Sequence, residues 1–234
     1  KSKESREPMK LKTLLPTASI AALSGLTPLA IAQSTDLLAP GQPIIGVAAT
    51  PGSTTSAIAT AGTTAGANNY PAGEAPPLAI DGLITTKYLN FAEINTGFIV
   101  SVSLDSIPLT GFQFTTANDA TERDPLTISI EGTFATDPAS AAAGASWVSI
   151  YNGPSGLSST LGRRVAGEII SVDNTDPYNT YRLLVTTVRN SATANSMQFA
   201  EIQFYGTTVP EPSTVALLGV GGVGLAFWGL RRRK

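Results

Sequence analysis

The chain has 234 residues, no cysteine, no histidine and a formal net charge of −2. The missing side chains exclude Ser-His and Cys-His nucleophile systems and the usual zinc ligands, so any bound metal would be a hard cation held by oxygen atoms. Residues 33–208 hold six Lys and Arg against 14 Asp and Glu, a net charge of about −8 that argues against a nucleic-acid partner.

The first 32 residues have the layout of an export signal. Met9–Lys12 is a short basic stretch, residues 13–29 are mostly apolar, and Ala30-Ile31-Ala32 fits the small-x-small pattern at which signal peptides are cleaved. Prolines and a glycine inside the apolar stretch disfavour the alternative, a buried helix. The predicted organisation of this region is an upstream extension at residues 1–8, a signal peptide at 9–32 and a short leader at 33–41.

Residues 42–206 contain short apolar segments separated by turn residues, which predict strands. Residues 50–73 are rich in Gly, Ala, Thr and Ser, and this composition fits a long loop with a weak strand at 56–59 or a flexible linker. The predicted strands are 43–49, 98–104, 112–114, 126–130, 147–151, 168–172, 181–188 and 197–205. The segment 181–188 is rich in β-branched residues and largely apolar on both faces, which predicts a central strand. About eight strands and no convincing amphipathic helix predict an all-β fold, an antiparallel jelly-roll β-sandwich.

The most informative part of this domain runs from Ala79 to Phe91. It contains an Asp-Gly turn at Asp81-Gly82, then Thr86, and then Lys87 followed by an aromatic residue. This order resembles the early motif of galactose-binding-like domains, the discoidin or coagulation-factor C-type family. Residues 197–205, with a Glu-Ile pair at 201–202, resemble the closing strand of the same family. The resemblance covers roughly residues 42–206 and implies a galactose-binding-like jelly roll.

The same resemblance implies a structural calcium ion bound by Asp81, Thr86 and Glu201, together with nearby backbone carbonyls. Calcium takes about 6–8 oxygen ligands, and tight turns present carbonyl groups readily. Leu83 departs from the family pattern, which commonly has Asn or Asp there. The alternative is that Asp81 only caps its turn and that Glu201 pairs with a basic side chain such as Lys87.

The most polar loop runs from Thr115 to Pro125 and carries four ionisable side chains. The resemblance implies that loops at one end of the sandwich bind the ligand, commonly a sugar. Arg123 could donate two hydrogen bonds to a pair of glycan hydroxyls or to a uronate carboxylate, while Asn118, Asp119 and Asp124 take the remaining hydroxyls. The alternative is a self-satisfied loop in which Arg123 bridges Asp119 and Asp124.

Aromatic and basic side chains elsewhere extend this candidate site. Tyr178 follows Asp176-Pro177 and is predicted to be the most exposed aromatic that could stack on a sugar, whereas Trp147 heads a strand and is expected in the core. The adjacent pair Arg163-Arg164 could bind an acidic polysaccharide or could simply be solvated. No catalytic residues are predicted, because closely spaced carboxylates are expected anyway among 14 acids and so do not indicate a glycosidase.

The last 26 residues form a tail of three parts. Val209, Pro210, Glu211, Pro212 and Ser213 begin it, and each proline lacks the N–H that a helix or sheet needs. Residues 215–230 are an uncharged apolar run that would span about 24 Å as a transmembrane helix, short against a bilayer core of about 30 Å. Arg231, Arg232, Arg233 and Lys234 would remain on the cytoplasmic side. The alternative to a sorting signal is an ordinary permanent anchor.

Residues 207–234 closely resemble the PEP-CTERM sorting signal. The resemblance implies a bacterial exported protein that is held transiently in the inner membrane and cut near Pro-Glu-Pro by an exosortase. It further implies delivery to the cell surface or extracellular matrix of a bacterium that makes extracellular polysaccharide. We therefore predict an exported, non-catalytic, carbohydrate-binding β-sandwich associated with exopolysaccharide and biofilm. The alternative is a structural matrix protein with no specific small ligand.

Overall fold

The computed structural model describes residues 33–102 and 107–208. The predicted upstream extension at 1–8, signal peptide at 9–32, transmembrane helix at 215–230 and basic end at 231–234 all lie outside these residues, as do Val209 to Ser213. Within the two described ranges, no helix has the length and apolar character needed to cross a membrane.

The described residues form 14 strands, one α-helix and three short 3-10 helices. In chain order the strands and the helix are β1 (Gln33–Asp36), β2 (Ile44–Ala48), β3 (Ala57–Ile58), β4 (Thr60–Ala61), β5 (Asn69–Tyr70), β6 (Tyr88–Asn90), β7 (Thr96–Ser101), β8 (Leu109–Thr115), β9 (Pro125–Thr133), α1 (Pro138–Ala143), β10 (Val148–Pro154), β11 (Ile170–Ser171), β12 (Thr180–Val188), β13 (Met197–Phe199) and β14 (Glu201–Thr208). The 3-10 helices are Ala72–Glu74, Pro76–Ala79 and Thr121–Arg123.

Ten of the strands build two antiparallel sheets. The four-stranded sheet has the order β1-β14-β8-β11, and the six-stranded sheet has the order β10-β9-β12-β7-β2-β3. The pairs β6-β13 and β4-β5 form small accessory sheets. The predicted all-β, antiparallel β-sandwich is confirmed. The strand count exceeds the predicted eight because β1, β4, β5 and β6 were not predicted, β3 was predicted only as a weak strand, and the strand predicted at 197–205 is divided into β13 and β14.

The main core lies between the two large sheets, and β12 shows how the alternating pattern builds it. Tyr181 and Leu183 point into this core, whereas Arg182 and Leu184 point to the outer face of the six-stranded sheet. The ring of Tyr181 packs edge-on against Phe204 of the opposite sheet, with ring centroids 5.7 Å apart. Since β12 pairs with β7 on one side and β9 on the other, its prediction as a central strand is confirmed.

A second apolar cluster covers the outer face of the six-stranded sheet. Here α1 packs Ala141 and Ala142 against the sheet, and Asp137 caps the helix by accepting a hydrogen bond from the backbone N–H of Ser140 at 2.8 Å. Trp147 is half-buried against this cluster rather than between the sheets, so its predicted place in the core is only partly right. The short helix was not predicted, because its six residues are too few to show a helical period.

Arg182 is fully buried on the same face and anchors the loop of residues 50–56. Its Nε donates to Glu131 Oε2 at 2.7 Å, its Nη1 to Ser56 Oγ at 2.9 Å, and its Nη2 to the Ser53 carbonyl at 2.9 Å. The indole of Trp147 lies against the guanidinium, 4.4 Å from its carbon to the ring centroid. This network ties a loop that has few apolar side chains to β9 and β12.

Two predicted boundaries are wrong. The leader predicted at residues 33–41 contains β1, whose residues Gln33 to Asp36 pair with β14, and it continues into the buried Leu37 and Leu38. The sandwich therefore begins at residue 33 rather than 42. The strand predicted at residues 147–151 continues to Pro154 along β9. By contrast, the interpretation of residues 50–73 as a loop with weak strands is confirmed by β3, β4 and β5.

The sandwich has two distinct ends, which are defined by the direction of β14. Its first residue, Glu201, pairs with Thr115 at the end of β8, and its last, Thr208, pairs with Gln33. We call the first end the loop end; it contains residues 81–87, 116–124, 162–165 and 189–198. We call the other the tail end, because the chain continues there beyond Thr208.

Candidate functional site

Most of the predicted site residues lie at the loop end. The turn after Ala79, the connection from β8 to β9 and the start of β14 converge there. This arrangement brings Asp81, Thr86 and Glu201 together, and it places Asn118 and Asp119 on the same end of the sandwich. Tyr178 precedes β12 at the tail end and belongs to neither group.

Asp81 and Glu201 form a pair of adjacent carboxyl groups. The backbone N–H of Leu83 donates to both, at 2.9 Å to Asp81 Oδ1 and 3.0 Å to Glu201 Oε1. The Thr86 hydroxyl lies 2.8 Å from Asp81 Oδ2 and 2.8 Å from the Leu83 carbonyl. Gly82 adopts φ +79° between them, a conformation that glycine accepts without strain. Asp81 therefore caps its turn and also faces Glu201.

The electrostatics of this pair favour a bound positive charge. Burial, and then the hydrogen bond and repulsion from Asp81, raise the pKa of Glu201 to about 8, although the N–H groups of Leu83 and Gly82 oppose the rise. At neutral pH the Glu201 carboxyl therefore holds a proton that a cation could replace. Two carboxylates, a hydroxyl and a carbonyl are oxygen donors that suit calcium. Within the described ranges no cluster of three or more His, Cys, Asp and Glu occurs, so further ligands would have to be neutral oxygens.

Lys87 pairs with other acids than Glu201, contrary to the alternative considered for that residue. Its buried Nζ donates to Asp119 Oδ1 at 2.8 Å and to Gln198 Oε1 at 3.0 Å, and it lies 3.4 Å from Glu74 Oε1. Desolvation raises the pKa of Asp119, but the hydrogen bonds from Lys87 and Gln198 outweigh it and hold that pKa below its usual value. Asp119 thus stays ionised on the edge of the loop.

Asp124 is a buried anchor of the polar loop. It is 1% exposed and accepts two parallel hydrogen bonds from Arg163, at 2.7 Å to Oδ2 and 2.8 Å to Oδ1. Its prediction as a direct ligand of sugar hydroxyls conflicts with this burial. The alternative in which Arg123 bridges Asp119 and Asp124 is also wrong, because Lys87 and Arg163 take those places. Arg123 itself forms no side-chain hydrogen bond or ion pair with any described residue.

The predicted exposure of Tyr178 is wrong. The residue is 2% exposed, and its ring packs against Tyr181 at 6.2 Å and Phe134 at 5.0 Å. Gly132 on β9 makes room for it, since a Cβ there would overlap the Tyr178 ring. Among the described aromatic side chains, only Phe134 is strongly exposed, at 64%, and it lies at the tail end.

Sequence reasoning missed several residues that shape the loop end. Arg189 reaches Asp124 at 3.6 Å, and Gln198 donates to the Asp119 carbonyl at 2.6 Å. Neither residue belongs to a recognisable motif. The available signal was the scarcity of basic residues. Residues 33–208 contain only six Lys and Arg among 14 acids, so each of the six was a candidate for an ion pair.

Comparison with known proteins identifies the tail. Residues 208–234 match the PEP-CTERM protein-sorting motif, so the predicted sorting signal is confirmed. No curated protein matches the chain. The match covers the tail alone and does not assign the sandwich to a family.

Solved structures similar to the sandwich include three bacterial modules. CpGH89CBM32-5 from Clostridium perfringens, in complex with GalNAc-β-1,3-galactose, is 10% identical, with a TM-score of 0.48, covering 73% of this chain and 99% of that one. The family 32 module of C. perfringens NanJ, in complex with galactose, is 9% identical, with a TM-score of 0.45, and the match covers 74% of this chain and 99% of that one. The family 32 carbohydrate-binding module of Streptococcus pneumoniae EndoD is 13% identical, with a TM-score of 0.46 over 73% and 99%. Likeness at this level transfers no ligand to this chain.

Proposed function

We propose that this chain is an exported, non-catalytic carbohydrate-binding module that an exosortase releases from the inner membrane to the cell surface or extracellular matrix. The sorting motif at residues 208–234 supports export and processing. A chain without histidine or cysteine lacks the commonest groups for general-base and nucleophilic catalysis, which favours binding over turnover. The proposed partners are the exosortase and extracellular polysaccharide, with a role in biofilm.

The observation that carries this proposal is the collection of outward-facing polar groups on a rigid frame at the loop end. Asn118 and Asp119 are exposed, and Arg123 is partly exposed with no partner among the described residues. The loop that holds them is fixed by the buried ion pair between Asp124 and Arg163. Sugar hydroxyls are bound by amide, carboxylate and guanidinium groups that are already held in place, because little entropy is then lost on binding.

We also propose that a calcium ion stabilises this end. Asp81, Glu201, the Thr86 hydroxyl and the Leu83 carbonyl would hold it, and the ion would supply the charge that the two adjacent carboxyls lack. Asp81 lies on a loop and Glu201 on β14, so binding would tie the turn at 81–86 to the sandwich. The role assigned to calcium is structural.

The position of the loop end suits a protein that is first held at a membrane. The sorting motif follows β14 at the tail end, and the loop end lies at the other end of that strand. Eight extended residues span about 27 Å, so the proposed sugar site would face away from the membrane before release.

A glycan array probed with the full-length chain, in calcium and in chelator, tests the proposal. Asn118→Ala should weaken glycan binding by about three- to tenfold, the worth of one net hydrogen bond, without changing the melting temperature. Asn152→Ala is a matched control, because Asn152 is exposed on β10, away from the loop end. If both variants lower the glycan affinity equally, the binding site does not lie at Asn118.

The alternative function is a structural matrix protein with no specific ligand. One observation favours it: the loop end has no strongly exposed aromatic side chain among its described residues, so a stacking surface for sugar rings is lacking there. Absence of binding to every glycan on the array, with the protein folded, would favour this alternative over carbohydrate binding.

A further inference from the structure

The basic residues of the described domain are concentrated at one end. Residues 33–208 contain six Lys and Arg, and five of them lie at the loop end: Lys87, Arg123, Arg163, Arg164 and Arg189. The sixth, Arg182, is buried beneath the loop of residues 50–56. In a segment whose net charge is about −8, this distribution places all but one of the positively charged side chains at the loop end, where they can attract an anion.

Four arginines at this end form what we call the arginine cluster: Arg123, Arg163, Arg164 and Arg189. Backbone hydrogen bonds assemble it around the loop of residues 116–124. The N–H of Arg189 donates to the Asp124 carbonyl at 2.9 Å, and the N–H of Arg164 donates to the Thr116 carbonyl at 3.1 Å. The side chain of Arg163 completes the assembly through its ion pair with Asp124.

The arginine cluster has more donors than acceptors. A guanidinium carries five N–H groups, and the two oxygens of Asp124 are already occupied by Arg163. The Nε atoms of Arg123, Arg163 and Arg189 are buried with no hydrogen-bond partner in the described protein. Arg189 also donates through Nη2 to the Leu157 and Ser158 carbonyls, and Lys87 is paired with Asp119. The side chains of Arg123 and Arg164, in contrast, form no hydrogen bond or ion pair with any described residue, so these two charges are available to a ligand.

Two residues of this region that are not glycine have positive φ angles. Arg164 has φ +58° and Ala120 has φ +47°, both in the left-handed region that side chains other than glycine and asparagine rarely adopt. The Arg164 side chain is exposed, while its N–H is fixed to the Thr116 and Ala117 carbonyls. Residues held in such conformations by their surroundings are concentrated at ligand clamps and active sites.

From these observations we infer that the loop end recognises an anionic polysaccharide, with Arg123 and Arg164 binding carboxylate groups of its sugar units. Arg163 and Arg189 act through Asp124 as positioning residues. The inference rests on the proposed carbohydrate-binding function and names its ligand class. A guanidinium matches a planar carboxylate with two parallel hydrogen bonds, and a polymer offers that group at every repeat.

The test measures binding of the full-length chain, in mild detergent, to polygalacturonate, neutral galactan, sulfated galactan and double-stranded DNA. Arg123→Gln and Arg164→Gln should each lower the affinity for polygalacturonate about tenfold, because each removes a charge-assisted contact. Glu122→Gln should raise it, since it removes a negative charge from the same loop. About 0.5 M salt should weaken the wild-type interaction, because screening shortens the range of exposed charges. Melting temperatures confirm that each variant is folded.

The outcomes separate this inference from the proposed function. Equal affinity for neutral galactan and polygalacturonate, unchanged in both arginine variants, would overturn the inference and leave carbohydrate binding intact. Tighter binding to DNA or to sulfated galactan than to polygalacturonate would overturn the assignment to a carboxylated chain. Binding to no glycan by the folded protein would overturn the proposed function, and the inference with it.

Discussion

Glu201 is the residue whose protonation the fold perturbs most at the loop end. It is the first residue of β14, and its carboxyl meets that of Asp81 across the turn that begins at Gly82. Its pKa of about 8 in the folded chain compares with an ordinary value of 4.5. The folded chain therefore binds one more proton than the unfolded chain between these two pH values. It follows that stability falls as the pH rises through this window.

In chelator, the melting temperature should fall by a few degrees between about pH 5 and pH 8, and calcium should restore it at pH 8 more than at pH 5. The reason is that the cation replaces the proton on Glu201, which is lost at high pH. Glu201→Gln should flatten the pH dependence and abolish the calcium effect. Differential scanning calorimetry with Glu168→Gln as the control measures both. A wild-type curve that is flat and insensitive to calcium would contradict the proposed site.

The candidate site was predictable from sequence only where a local motif carries it. Asp81 and Thr86 lie within one turn, and a Glu-Ile pair in a closing strand identified Glu201. The burial of Tyr178 and Asp124 depends on contacts with residues that are distant in the sequence. Tyr178 is buried because Gly132 of a neighbouring strand leaves space for its ring, and Asp124 is buried because Arg163, in another loop, neutralises it. No pattern within a single segment encodes either pairing.

At the scale of whole elements, polar groups hold the loop of residues 50–56 against the outer face of the six-stranded sheet. The loop of residues 50–56 is held by Arg182, and the N–H of Gly52 also donates to Glu131 Oε1 at 2.6 Å. A buried guanidinium and carboxylate lose much of their hydration, so the pair adds little net stability over an apolar pair but is costly to break. The loop is therefore secured by geometry more than by hydrophobic burial.

Glu131→Gln should destabilise the domain by about 3–5 kcal/mol, because it leaves the fully buried Arg182 without its counter-charge. The double substitution Glu131→Leu with Arg182→Met should recover much of this loss. Urea denaturation measures both, and limited proteolysis detects release of residues 50–56. Glu168→Gln, at an exposed acid, serves as the control and should stay within about 0.5 kcal/mol of wild type. A Glu131→Gln variant as stable as this control would show that Arg182 does not need its partner.

The strands that sequence predicted are those whose side chains reveal burial. The apolar side chains of β12, and the alternation of apolar and polar side chains along β7 and β9, directly indicate which residues contact the core. In contrast, β1 is the polar tetrapeptide Gln-Ser-Thr-Asp, and its strand conformation comes only from pairing with β14 at the other end of the described chain. The two-residue strands β4 and β5 are likewise too short for a period to be detected.

For the molecule as a whole, the two ends of the sandwich carry different features. The loop end carries the carboxyl pair and the arginine cluster, whereas the chain passes into the sorting motif at the tail end. β14 ends at Thr208, where the matched motif begins. Cleavage beyond that residue would therefore leave every strand of the sandwich in place.

Extracellular copies of the protein should end near Pro210 to Pro212 and lack Arg231 to Lys234. Replacing the motif by Pro210→Ala, Glu211→Ala and Pro212→Ala should leave uncut protein in the membrane fraction, because the processing site is lost. Mass spectrometry of intact protein from both fractions measures this, with Asn152→Ala as a control that leaves the motif unchanged. An intact Lys234 terminus on most extracellular copies would refute the prediction.

The position of β14 also has a consequence for the order in which the protein can mature. It lies between β1 and β8, so the last of the described strands to be synthesised is an internal strand of the four-stranded sheet. β1 is made first and has no partner in that sheet until β14 arrives, and pairings between such distant segments form slowly. The sheet can close only when the residues just ahead of the sorting motif have crossed the membrane. Arrest of the chain at that motif would therefore coincide with the moment at which its fold becomes complete.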